Sequence, residues 1–388
     1  MKKALKIVGF TLIILLVLYF LATLFVPEII DKSHNTIRNN APYQVSNEAD
    51  SIYNSLDFIG DMHCDALLWK RNLLDDNDFG QVDIPKLLKA NVALQSFTIV
   101  TKSPKGQNFN KNTGESDNIT SLYLVQGRPT NSLTQRAIYQ CESLFEFAED
   151  SENKFRVITS GTEFKKYLSD RKLNKNITAG FLGVEGAHAL DGKLENIQVL
   201  FDSGVRMMAP THFFDNKLGG SAHGVSGDGL TEFGKNVIKK MVELNMIIDI
   251  AHASPKIIDD ILKITDRPIV SSHTGVKGTC NNVRNLSDEQ LKAIAKSGGL
   301  ISIAMFKQAV CGTDAEATAK AIKYARDLVG VEYVALGSDF DGSVTTPFDI
   351  TGLPLIVEEL LKLNFKEKEI QMIMGKNMEK FMLKNLPQ

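Results

Sequence analysis

The sequence is poor in cysteine, in net charge and in nucleotide-type glycine turns. Four cysteines in 388 residues are too few for a scaffold built on disulfides, and none forms a CxxC pair. Lysine and arginine number 44 against 46 aspartate and glutamate, a net charge of -2, so nothing points to a nucleic-acid or anionic-surface partner. No GxGxxG turn is present, which counts against a doubly wound dinucleotide-binding sheet. No repeat or low-complexity tract occurs. What remains is ordinary for a globular chain, 43% hydrophobic and 23% charged, at a length that suits two average domains or one large barrel.

The N-terminus departs from this profile. Lys2, Lys3 and Lys6 precede a run from Ile7 to Val26 without a charged residue. Twenty helical residues span ~30 Å, the thickness of a bilayer's hydrocarbon layer. The basic flank would stay in the cytoplasm and the rest would face the periplasm or cell exterior. A cleaved signal peptide is the competing reading, but its apolar core is usually shorter and ends in a small-x-small site, where this run ends Leu24-Phe25-Val26-Pro27. The expected organisation is an anchor over 1–26, a polar linker over 27–55 and one catalytic domain over 56–388.

Eight strand-like runs follow, near 57–63, 92–100, 180–185, 205–211, 246–251, 268–272, 299–305 and 333–338. Most are continuously apolar, as strands covered on both faces must be. Helical patterns separate several of them. Thr231-Glu232 opens one, a Ser287-x-x-Gln290 capping box opens another that stops at Gly298, and further helices are expected over 314–330 and 366–383. Alternating strands and helices with eight strands predict a (β/α)8 barrel of the TIM type. Residues 101–150 exceed one βα unit and read as an insertion at the mouth or edge.

Five of the runs end in a group able to bind metal: His63 and Asp65, Glu185, His252, His273 and Asp339. The C-terminal ends of barrel strands are where such folds gather active-site groups. His63 and Asp65 are two apart, so on a strand both point to the same side. Imidazole with carboxylate suits zinc or a similar divalent ion. Each residue also has a plainer reading. A histidine near a strand end is commonly just hydrogen-bonded, Glu185 can pair with a lysine or arginine, and Asp341 competes with Asp339.

In order, HCD (63–65), VEG (184–186), THF (211–213), DIAHAS (249–254), SSH (271–273), Asn-Asn-Val-Arg (281–284) and GSDFDG (337–342) resemble the membrane (renal-type) dipeptidases, peptidase family M19, from about 57 to 382. The resemblance implies a two-zinc peptidase of the amidohydrolase-like barrels, acting on dipeptides. It implies that His63 and Asp65 hold one zinc with Asp339 close by, that His252 and His273 hold the other, and that Glu185 bridges them. It further implies that His212 steadies the tetrahedral intermediate, that Arg284 binds the substrate carboxylate, that Asp339 carries a proton, and that the enzyme is a homodimer. Without it, Arg284 reads as a surface arginine in an asparagine-rich loop.

The same resemblance matches Cys280 and Cys311 to a disulfide pair, whereas Cys64 is expected to pack facing away from the ligands. Two departures stand out. The mammalian relatives carry a C-terminal lipid-anchor signal, whereas this sequence ends KFMLKNLPQ, and a substrate-contacting tyrosine of the family falls near Gln308. Asn118, Asn176 and Asn285 begin N-x-S/T triplets. Two alternatives remain. One is a related amidohydrolase acting on another small amide, a lactone or a secondary metabolite; the other is a non-catalytic exported binding or maturation factor.

Overall fold

The computed structural model describes residues 2–114, 126 and 131–388. Its strands are β1 (Ile59–Cys64), β2 (Val92–Ile99), β3 (Phe155–Val157), β4 (Thr178–Val184), β5 (Val205–Met208), β6 (Ile247–Asp249), β7 (Ile269–Thr274), β8 (Leu300–Ile303) and β9 (Val334–Leu336). All pairings are parallel, in the order β1-β2-β4-β5-β6-β7-β8-β9, with β3 added against the start of β4. The ring closes just beyond β9, where Cys64 bridges Phe340 and the Asp65 amide donates to the Phe340 carbonyl at 2.8 Å. The eight expected strands are therefore the eight staves of a (β/α)8 barrel. Short β3, which the sequence reading lacks, carries only three residues and no strong apolar run.

Local chemistry accounts for the helix ends. Ser287 and Gln290 cap each other reciprocally, and the helix Asp288–Ser297 stops at Gly298 with φ 80°, a conformation that favours glycine. Thr231 accepts the Gly234 amide at the start of Glu232–Glu243. The helix predicted over 366–383 is instead two, Glu367–Gln371 and Asn377–Asn385, joined by a π turn at Met372–Lys376. The cause is close packing: a Cβ on Gly375 would lie 2.2 Å from the Phe58 carbonyl.

The core has two parts. A large cluster packs the outer helices on the strands, with Leu87, Val237, Ile257, Ile322 and Ile356 among its fully buried members. A smaller one joins Met62, Leu94, Phe181, Val270 and Ala335 to Met378, Phe381 and Met382 of the C-terminal helix. Apolar packing thus fills one end of the barrel and leaves the polar groups to the other.

The first helix, α1 (Lys2–His34), runs unbroken through Pro27, and its apolar side chains from Leu5 to Phe25 are largely exposed. Residues 27–55, expected as a linker, lie against the barrel. Asp31 is buried beside Arg71, Ile37 bridges Thr346, Ser46 donates to Glu358 at 2.6 Å, and Tyr53 in the helix Asn47–Ser55 donates to the Ala90 carbonyl at 2.6 Å. The insertion contributes the helix Leu133–Asp150 and a loop over 101–114 tied to the barrel rim by the Asn112 amide on the His223 carbonyl, 2.7 Å. Asn118 lies outside the described residues. Asn176 is exposed, but Asn285 is buried with its amide spent on the Cys280 and Ala309 carbonyls, so it is no acceptor for a glycan.

Candidate metal centre

Glu185 follows β4 directly, and its carboxylate is the hub of the site. Oε1 lies 3.0 Å from His252 Nε2, 3.4 Å from His273 Nε2 and 3.5 Å from His63 Nε2, while Oε2 lies 3.3 Å from His212 Nε2. His63 Nε2 is also 3.6 Å from Asp65 Oδ1 and 3.7 Å from Asp339 Oδ1. His252 Nε2 and His273 Nε2 approach to 3.0 Å. All seven residues are buried, Asp339 the least so. Four histidines thus surround Glu185, His212 among them, while Asp65 and Asp339 lie beside His63.

These separations carry chemical information. Among the described residues, neither Glu185 oxygen nor His63 Nε2 has a hydrogen-bond partner. Buried orphans of this kind are costly, and so many in contact point to a missing centre of positive charge. Two ligand atoms ~2.0–2.1 Å from one ion in a tetrahedron stand ~3.3 Å apart, the spacing seen here. Glu185 has no lysine or arginine salt bridge among the described residues, so the plain pairing does not apply.

Surrounding residues orient the candidate ligands. Ser272 Oγ donates to Asp249 Oδ2 at 2.6 Å and sits 2.9 Å from His63 Nδ1 and 3.2 Å from His273 Nδ1. A hydroxyl has one proton, so with that proton on Asp249 it accepts from both imidazoles. This puts a proton on Nδ1 of both rings and leaves Nε2 of each as the atom facing the centre. Thr98 donates to Asp65 Oδ1 at 2.6 Å. Backbone strain also contributes: His252 (φ 59°) and Asp339 (φ 64°) are in the left-handed region, rare outside glycine. The Ala222 amide and Thr211 hydroxyl hold the His252 carbonyl in place. Glycine is required at 186, where φ is 99° and a Cβ would lie 2.4 Å from the His188 ring.

Electrostatics fit the same picture. Burial, reinforced by the Asp65 charge, raises the Glu185 carboxyl, and burial raises Asp339 well above the carboxylate range despite His63 nearby. Burial opposes a charged His63, yet Glu185 and Asp65 lift it well above the histidine range. Burial and then the surrounding positive groups hold His212, His252 and His273 well below it. Crowded carboxylates that resist ionising, and a His63 that draws a proton to itself, are groups whose protons a divalent cation would replace.

Asp341, the competitor of Asp339, has another task. It takes Arg71 Nη2 at 2.6 Å and the Gln81 and Val82 amides, and so ties the loop after β1 to the loop after β9. Arg284 is not a surface residue: it is 4% exposed, donates to the His273 carbonyl at 2.6 Å, and keeps Nε unpaired. Cys280 and Cys311 are bonded, closing the loop that carries it. Cys64 is buried and free. Gln308 lies on this loop, and its carbonyl accepts from Asn282 at 2.6 Å.

Two histidines escaped the sequence reading. His188 packs against Phe214 with both ring nitrogens unpartnered, and His223 stacks on Phe213 at 4.4 Å, 5.0 Å from the His252 ring. His188, three residues after Glu185, was findable by proximity. His223 lies in the long excursion between β5 and the helix Glu232–Glu243, where strand-end logic gives no signal.

Fold and site together describe a parallel α/β barrel with a buried set of possible metal ligands at the C-terminal strand ends. A profile of the membrane dipeptidases, peptidase family M19, matches residues 47–385, and the chain belongs to that family. It is 29% identical over 217 residues to mouse dipeptidase 3, covering 53% of this chain and 44% of that protein. Against human dipeptidase 3 it is 28% identical over 236 residues, covering 58% and 48%. The chain thus spans about half the length of these relatives. Among solved structures, the probable dipeptidase PvdM of Pseudomonas aeruginosa superposes with a TM-score of 0.72 at 18% identity, over 89% of this chain and 99% of that one. A Rhodobacter sphaeroides metallopeptidase bound to a phosphinate mimic of the dipeptide L-Ala-D-Ala gives 0.69 at 21% identity, over 86% and 100%.

Proposed function

We propose that this chain is a membrane-anchored dipeptidase with two zinc ions, its barrel in the periplasm or outside the cell. The observation that carries this reading is the Glu185 carboxylate, within 3.0–3.5 Å of His63, His212, His252 and His273 and with no other partner among the described residues. His63 and Asp65, with Asp339 beside them, would hold one ion, His252 and His273 would hold the other, and Glu185 would serve both. Such an ion pair supplies Lewis acidity toward the scissile carbonyl and an acidified water as nucleophile.

The chain's own residues do the rest. Asp339, whose Oδ1 lies 3.7 Å from His63 Nε2, would as a carboxylate take a proton from the attacking water and give it to the leaving amine. His212 faces the developing oxyanion with an imidazole Nε2 already directed at the centre; such contacts are worth ~10²–10³ in kcat. Arg284, buried and with Nε free, offers a planar fork to the substrate's terminal carboxylate and so selects short peptides.

The test is hydrolysis of a dipeptide panel by the purified chain, including members with a C-terminal D-alanine. Turnover is expected, and His63→Ala should abolish it. Undiminished turnover in that variant would exclude the assigned site. Activity on lactones or N-acyl amino acids with none on dipeptides would favour the related-amidohydrolase alternative.

A further inference from the structure

The junction between α1 and the barrel is a built joint. Pro27 lies inside the helix and has no N–H, so the carbonyl of Thr23, four residues back, loses its helical donor. Lys70 Nζ from the loop after β1 takes that place at 3.1 Å. Two turns further on, Asp31 is 2% exposed and meets Arg71 Nη1 at 3.3 Å, while Arg71 Nη2 meets Asp341 at 2.6 Å. Asn35 accepts the Ser343 amide at 3.0 Å, and Lys32 stands 4.5 Å over the Phe79 ring. Thr23 and Asp31 are eight residues apart, ~12 Å along a helix, so the barrel grips α1 at two separate heights.

Thr23 belongs to the apolar run that ends at Val26, and Asp31 follows it by roughly 8 Å of helix. Lys70 therefore sits where the hydrocarbon layer gives way to headgroups, a depth that suits an ammonium on an apolar stem. Lys70 is five residues from the ligand Asp65, and Asp341 is two from Asp339. We propose that the loop over residues 69–79 rests on the bilayer surface, so that the rim of the metal site is held at the headgroup layer instead of swinging on a tether. The partner surface is lipid, and the proposal rests on the membrane-anchored reading.

The test uses the full chain in phosphatidylcholine nanodiscs with a fluorophore on Asp76→Cys, in the exposed loop, or on Leu173→Cys, 91% exposed at the opposite barrel end. Cys64 and Cys141 are buried, and Cys280 and Cys311 are bonded, so neither pair competes for the label. Headgroup-nitroxide lipid should quench the Asp76→Cys probe several-fold more than the Leu173→Cys probe. Combining Lys70→Ala with Asp31→Asn should bring the two close together. Equal quenching at both sites in a chain that remains in the disc would overturn the proposed orientation alone. Persistence of the difference after the joint is removed would overturn the joint as its cause. A chain that does not stay in the disc would refute the anchor, and this proposal with it.

Discussion

Ser272 donates its one hydroxyl proton to Asp249 at 2.6 Å and accepts from two imidazoles, His63 and His273, which sit on different strands. One hydroxyl thereby holds Nδ1–H on two candidate ligands. Ser272→Ala removes that control while leaving a small, buried side chain. Outer partners of metal ligands typically contribute ~10–100-fold in metal affinity. Zinc dissociation constants from competition with a chromophoric chelator should weaken by that factor, with the circular dichroism spectrum unchanged.

Arg284→Lys keeps the charge and loses the fork. Hydrogen bonds to charged groups contribute ~1.5–3 kcal/mol, so KM for a dipeptide should rise roughly 10- to 100-fold with a smaller change in kcat. The wild type's preference for a free carboxylate over a C-terminal amide should shrink in parallel. Steady-state kinetics on the matched acid and amide check both.

The Cys280–Cys311 bond closes a segment with a sequence separation of 31, and Asn285 inside it holds the Cys280 and Ala309 carbonyls. A loop of that size gives roughly 3–4 kcal/mol of stabilisation in the chain-entropy account. Replacing both cysteines with alanine should lower the urea midpoint accordingly. It should also raise KM, because Arg284 rides on the same loop.

His188 titrates far from its ordinary value. Burial, then the Lys102 charge, lowers it from 6.5 to about 3. Between those values the unfolded chain binds a proton that the folded chain does not, so acid favours unfolding. The stability linked to this group is complete above pH 6.5 and declines as the pH falls toward 3. His188→Gln, which cannot titrate, should flatten the dependence of the urea midpoint on pH across that window.

The barrel was legible because its strands are buried on both faces and read as apolar runs; the candidate ligands were legible because they terminate those runs. His63 and Asp65 needed only the two-residue period of a strand, while Glu185 stood out as a carboxylate ending an apolar segment. Arg284 was not legible from composition, since its asparagine-rich neighbours read as surface and only the fold turns it inward. The docking of residues 27–55 was hidden too. Its contacts, Asp31 with Arg71 and Ser46 with Glu358, join residues 40 and 312 positions apart, which no local pattern reports.

The central claim is that Glu185 stands between two metal sites. Calorimetric titration of zinc into chelator-treated chain tests it most directly. The account predicts two equivalents bound by the wild type, and a marked loss of affinity for both in Glu185→Gln. A single equivalent, or two whose affinity is indifferent to Glu185→Gln, would contradict it.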